Sequence, residues 1–258
     1  MAERGARARR LPRAGTLIRF AAFAVLVLFL AMPESFAPVF APLTTNGAPA
    51  IYDRAPLIDL TLAHLGTVAV ASLAATVVAV GLAVGVTRPA GADFLPLSRS
   101  IVNIGQTFPP VAVLALAVPL FGFGERPTLF ALFLYGLLPI FENTLTGLTR
   151  LPPAVLDAAD GMGMTARQRL LKVELPLALP VILEGVKIST VIGLSTATIG
   201  STVAAKGLGE VIIAGLLSGN MAFVVQGGLV VATLAVLLYD SLGALERRVA
   251  RRTGRRTG

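Results

Sequence analysis

The sequence predicts an all-α protein, a polytopic transmembrane helical bundle of about six spans, and three observations carry that prediction. Hydrophobic residues make up 55% of the 258 residues and charged residues only 14%, against about 25% charged in soluble domains. The apolar residues are gathered into runs near the length of about 20 that a helix needs to cross a hydrocarbon core. Lysine and arginine collect beside those runs, with six of the 22 in the first 19 residues and six in the last 12. Basic tails next to apolar spans mark a cytoplasmic face and favour anionic lipid, so the net charge of +8 does not point to nucleic acid. Cysteine is absent, which excludes disulfides, thiol catalysis and Cys-ligated metals.

Taken in order, the candidate spans are Leu17–Met32, Leu62–Val86, Ile101–Phe123, Thr128–Thr149, Pro180–Ala204 and Met221–Leu242. The first follows an arginine-rich start, as a signal peptide would, but Pro38 directly after Ser35, Phe36 and Ala37 spoils the cleavage signal. An uncleaved span is expected. The second contains GTVAVASLAATVVAVGLAVG (66–85), whose small residues let helix backbones approach closely. His64 stands at its start, and the chain has no second histidine with which to share a metal. Pro109, Pro110, Pro119 and Pro139 fall inside the third and fourth spans. Prolines are tolerated there only where the freed carbonyls find protein or a watery path, which favours a transporter or channel over a plain anchor. Residues 205–220, AKGLGEVIIAGLLSGN, hold an apolar run too short to span, hence a short helix or a re-entrant turn. The expected division is 1–61 as basic tail, first span and outer loop, 62–246 as the membrane domain, and 247–258 as a basic tail.

With a cytoplasmic N-terminus, nineteen of the 22 basic residues lie on inner segments and only Arg54, Arg126 and Lys206 on outer ones. The positive-inside rule then places both termini and residues 150–178 in the cytoplasm, with 33–58 and 205–220 outside.

That inner segment is ordered by its own residues. Pro152 and Pro153 suit the first turn of a helix over Ala154–Asp160. Gly161 and Gly163 end it with a cap and a turn. Thr165 and Gln168 have the spacing of a capping box that starts a second helix, decorated by Arg167, Arg169 and Lys172 and stopped by Pro176 before the fifth span. A helix, a tight turn and a second helix joined stiffly to the membrane describe an element that pushes on a cytosolic partner.

Asp157-Ala158-Ala159, three residues, Gly163, nine residues, then Val173-x-Leu175-Pro176 resembles the EAA loop of ABC importer permeases, with Asp for Glu and Val for Ile. GQTFPPVAVLALAVPLFGFG (105–124), LYGLLPIFENTLTGL (134–148), GMGMTARQRLLKVELPLALPVILEGVKIST (161–190) and STATIGSTVAAKGLG (195–209) look like permeases of osmoprotectant importers of the glycine betaine/choline type. Within that group the chain looks most like betaine uptake permeases of Gram-negative bacteria, over roughly residues 60–246. The resemblance implies a type I ABC importer permease fold with a cytoplasmic coupling helix, in a bacterial inner membrane. It implies that Asp157, Ala158, Ala159, Gly163, Leu175 and Pro176 form the coupling element for an ATP-binding subunit. A second permease, the same chain or a sister subunit, and an extracytoplasmic solute-binding protein complete the implied assembly.

The residues agree with that division of labour. No Gly-Lys pair occurs, so the chain lacks a phosphate-cradling P-loop, and ATP with its Mg is expected on the partner, with no cofactor on this chain. Quaternary ammonium ligands favour aromatic cages, yet there is no Trp and the three Tyr, at 52, 135 and 239, are scattered. Selectivity is therefore expected in the binding protein. Ionisable and polar groups in spans are functional candidates: Gln106, Glu142 and Asn143 for a translocation path, with the approach of Glu142 to the cytosolic interface as the alternative. Glu184 and Lys187, i,i+3, are expected to pair, Asp240 to be interfacial, and Lys206 and Glu210 to touch the binding protein. Import of choline, carnitine or proline is also compatible with the sequence. An intramembrane enzyme would need a nucleophile–base pair or metal ligands, which one His and isolated carboxylates do not supply. A passive channel would not need the coupling loop.

The topology is testable because cysteines can be introduced one at a time into a cysteine-free chain. A cysteine at position 46 should react with an impermeant thiol reagent in intact cells and one at 165 should not; the reverse would invert the orientation.

Overall fold

The computed structural model describes residues 14–45 and 47–252; the arginines at 4, 7, 9, 10, 13, 255 and 256, and position 46, lie outside the described residues. All regular elements among these residues are helical. α1 (Ala14–Ala31) is followed by short helical turns over Pro33–Leu43 that double back at 115°, where Phe29 packs against Phe36 and Phe40 with ring centres 5.2 and 5.5 Å apart. α2 (Leu57–Val86) has 30 residues, about 45 Å at 1.5 Å per residue. It buries Ala71, Ala75, Ala79 and Ala83, one small residue per turn, and turns Val70, Leu73 and Val77 outward. The small stripe lets α2 lie close against its neighbours.

The expected third span is not one helix. α3 (Leu95–Thr107) and α4 (Pro110–Phe121) are bent 100° apart. Neither Pro109 nor Pro110 has an N–H, so the carbonyls of Gly105 and Gln106 have no donor four residues on, and the helix cannot continue. α5 (Glu125–Thr149) absorbs Pro139 without breaking. The missing N–H frees the Tyr135 carbonyl, and Gln106 Nε2 donates to it at 3.0 Å. The Tyr135 hydroxyl in turn donates to the Phe108 carbonyl at the break. Gly105 permits this crossing, since a Cβ there would lie 2.5 Å from the Leu134 carbonyl oxygen.

After α6 (Pro153–Gly161), α7 runs from Ala166 to Val203 as one 38-residue helix. Pro176 therefore does not stop a separate second helix, contrary to the sequence expectation. The turn before it, Leu170–Glu174, is a π turn in which Leu175 N–H bonds back to the Leu170 carbonyl, a wider path that admits the proline ring. Its last turns, Thr198–Val203, tighten to 3-10 and end at Ala204 with φ 62°. α8 (Gly209–Ser218) is the short helix expected in 205–220, and α9 (Met221–Arg252) closes the bundle. α5 and α7 form the centre, flanked by α2, with α3 and α4 against α5 and α9 against α7. At the end away from residues 150–165, Gln226 is fully buried, donates to the Ala50 carbonyl at 2.6 Å and accepts from Tyr52 N–H at 3.2 Å. His64 is buried there with Nε2 3.0 Å from the Leu194 carbonyl oxygen.

The α5–α7 crossing has no room for a side chain at Gly185, where a Cβ would meet the Pro139 oxygen at 2.7 Å and Asn143 Cβ at 2.8 Å. Gly185→Ala should cost about 1–3 kcal/mol, read as a lower thermal midpoint of the purified protein in detergent. Gly81→Ala, with open space around it, should match or exceed the parent.

Candidate functional site

The segment between α5 and α7 is built as its residues predict. Leu151 is buried and anchors its start, and Pro152 and Pro153 open α6. On α6 only Ala159 is buried, at 1% exposure. Asp157, Ala158 and Gly161 face outward, as does Met162 just after it, at 68%. Gly161 belongs to the helix, and the turn falls on Gly163, with φ 71°. Gly163 N–H bonds to the Asp160 carbonyl at 2.9 Å and Met164 N–H to the Ala159 carbonyl at 3.2 Å. These two bonds form a Schellman motif, which needs a left-handed residue where Gly163 stands. Both halves of the capping box then form, Gln168 N–H to Thr165 Oγ1 at 3.3 Å and Thr165 N–H to Gln168 Oε1 at 2.9 Å. Leu175 and Pro176 sit half-buried just beyond the π turn, with Leu175 packed on the Leu148, Ala178 and Ile182 cluster.

A charged network, not apparent in the sequence, ties this segment to the bundle. Arg169 Nη1 donates to Asp160 Oδ1 and Oδ2 at 2.7 and 2.6 Å, and its Nε donates to Glu174 Oε1 at 2.9 Å. Arg88, just past α2, donates to Glu174 Oε2 at 2.5 Å. Glu174 is 3% exposed and precedes the apolar run of α7, a helix about 57 Å long at 1.5 Å per residue and so longer than a hydrocarbon core. Burial pushes the Glu174 carboxyl up, but bonds and charge from Arg88 and Arg169 outweigh burial and hold it below its ordinary value.

The other sequence candidates are scattered. Gln106 is committed through its amide to Tyr135 while its residue remains exposed on α3. Glu142 pairs with Arg99 Nε and Nη2 at 2.9 and 3.2 Å. Asn143 donates to the Pro139 carbonyl at 2.8 Å and packs at the Gly185 crossing, so it faces α7. Lys206 is exposed, and Glu210 accepts from Gly207 N–H at 3.1 Å. Lys187 pairs with Glu184 as expected and also with Glu246 at 2.9 Å. Asp240 pairs with Arg19 at 2.7 Å.

Helices of membrane-crossing length around a central pair, with a capped polar loop at one end, define a polytopic helical membrane protein. Solved structures share the fold: the inward-facing MetNI methionine ABC transporter aligns with TM-score 0.68 and 23% identity over 75% of this chain and 95% of that one. An amino acid ABC transporter crystallised with histidines aligns at 0.63 and 18% over 85% and 98%. Residues 78–251 match the family of binding-protein-dependent transport system inner membrane components, and the chain belongs to that family. The osmoprotectant import permease protein OsmY of Salmonella typhimurium is 38% identical, covering 76% of this chain and 84% of its own length. The glycine betaine/carnitine/choline transport system permease protein OpuCB of Bacillus subtilis is 36% identical, over 80% and 91%.

Proposed function

We propose that this chain is the permease subunit of an ATP-driven importer of glycine betaine or a closely related quaternary ammonium solute, in a bacterial inner membrane with both termini cytoplasmic. The observation that carries the docking part is the loop face. α6 presents Asp157 and Ala158 outward, with Met162 exposed just after it, on a helix whose end is held by the Gly163 turn and the Thr165 cap. An exposed, stiffly capped face of small residues and one long apolar side chain fits a cleft on an ATP-binding subunit, which supplies ATP and Mg. The substrate class follows from the names of the similar permeases, two of which specify glycine betaine, carnitine and choline, or choline alone. We place the path along the exposed polar face of α3, where Asn103 and Gln106 continue from the Arg99–Glu142 pair, facing a second permease, with Asn143 one residue from Glu142 at the α5–α7 crossing. Lys206, exposed at the far end, and the neighbouring Glu210 are placed at the contact with the solute-binding protein. Residues 1–61 and 247–258 flank the membrane domain.

Two measurements test this reading. Labelled glycine betaine uptake into liposomes should require the ATPase subunit and the binding protein together; an undiminished rate without the binding protein would overturn it. At matched expression, Gly163→Leu and Asp157→Lys should insert normally but lose pull-down of the ATPase and stimulated hydrolysis. The Leu side chain at positive φ costs about 1 kcal/mol or more and obstructs the cleft. Gly161→Ala, at a helical position with open space around it, should keep the ATPase.

A further inference from the structure

The docking face explains α6, but not why Asp160, Arg169, Glu174 and Arg88 are arranged in a line behind it. Asp160 is the last acidic residue of α6 and half its side chain is exposed. Arg169 stands nine residues on, with its side chain 28% exposed. Glu174 is almost wholly covered, its side chain 5% exposed, and it accepts from a different guanidinium on each oxygen. Arg88 also reaches Thr87 Oγ1 at 3.2 Å, while its Nε is buried without a partner.

Three features make this more than a stabilising cluster. A buried carboxylate shared between cations gains little net stability over apolar packing, so its value lies in the geometry it imposes. In a regular α-helix residues five apart diverge by about 140°, and the π turn over Leu170–Glu174 is what turns Glu174 back toward Arg169. The far end of the line is a corner: Arg88 joins α2 to the turn over Pro89–Phe94 that leads into α3. At that corner the Gly91 and Gly85 backbones touch directly, since a Cβ on Gly91 would lie 2.3 Å from the Gly85 oxygen. Arg88 thus adjoins the turn that enters α3, the helix that carries the exposed polar face.

We propose that Arg169 and Glu174 are positioning residues that hold the angle of α6 and pass its displacement to the α2–α3 corner through Arg88. This rests on the reading of α6 as the ATPase-docking helix. The planar guanidinium of Arg169 engages Asp160 and Glu174 from different nitrogens, so a shift of α6 at Asp160 is transmitted to Glu174 as a rigid rotation. The route runs beside the covalent one through residues 150–152 and reaches a different part of the bundle.

The test uses the full complex of permease, ATPase subunit and binding protein in liposomes, with labelled glycine betaine as probe. Arg169→Gln and Glu174→Gln should each retain the ATPase within about twofold while solute imported per ATP hydrolysed falls at least fivefold, a change within the ~5–150-fold range of coupling between sites. Arg169→Lys should fall equally, because one ammonium does not span both carboxylates. The double variant should be no worse than either single, as expected of residues acting as one unit. Glu174→Gln leaves two guanidiniums without a carboxylate; if it does not accumulate, Arg169→Gln and Arg169→Lys alone decide the question. Normal import per ATP in Arg169→Gln, full recovery with Lys, or additive losses would each overturn the relay. Loss of ATPase pull-down in Arg169→Gln would also overturn it, since the charges would then hold the docking face itself. If Gly163→Leu and Asp157→Lys lose the ATPase while Arg169→Gln couples normally, docking stands and the relay falls. If those two keep the ATPase, the docking reading fails first.

Discussion

The close crossing of α5 and α7 sets the position of everything else in this bundle. Lipid tails are as apolar as leucine, so helices in a membrane are held by short-range packing rather than by expulsion from water. The crossing is accordingly made of residues with almost no side chain. Gly185 lies on Pro139 and Asn143, Gly147 on Ala178, and Gly136 between Ser189 and Ala75 of α2. Since α5 enters the polar loop and α7 leaves it, the same crossing determines where α6 is held and how far it reaches beyond the bundle.

Close packing also resolves the prolines. A proline inside a span removes one donor and leaves a carbonyl that hydrocarbon does not satisfy. The chain meets this problem in three ways. At Pro139 a side-chain amide from Gln106 replaces the missing donor and α5 stays straight enough to continue. At Pro109 and Pro110 two consecutive losses end the helix, and Tyr135 caps the Phe108 carbonyl. At Pro176 a wider turn lets the ring pass. Gln106 and Tyr135 are thus partners across one junction, which gives a polar residue in a span a structural reason as well as any contact with solute.

The charges follow a related rule, because an ionised group taken out of water needs a partner. Lys187 lies between Glu184 and Glu246 and over the Tyr239 ring at 4.8 Å, which ties α7 to α9. Arg19 holds α1 to α9 through Asp240, and Arg99 holds α3 to α5 through Glu142. The Lys187–Glu246, Arg19–Asp240 and Arg99–Glu142 pairs each join two helices. Among the described residues, only the ion-pair line through Arg169 and Glu174 leads from the bundle to the exposed loop.

What the sequence determined by itself was local or periodic. The spans follow from runs of apolar residues, and the Gly163 turn and the Thr165–Gln168 cap from chemistry within a few residues of each other, where chain connectivity already places the partners. The Glu184–Lys187 pair, one helical turn apart, was legible for the same reason. The tertiary structure decided what depends on partners far apart in the chain. Arg88 meets Glu174 across 86 residues and Arg99 meets Glu142 across 43, and no spacing rule announces either. Pro176 was misread as a stop because its effect depends on whether the preceding turn widens, and in that turn Glu174 meets Arg169 five residues back and Arg88 on a distant segment. Local bonds form wherever their few residues occur together, whereas a shared carboxylate or a glycine crossing exists only once the helices have been brought within a few ångströms of each other.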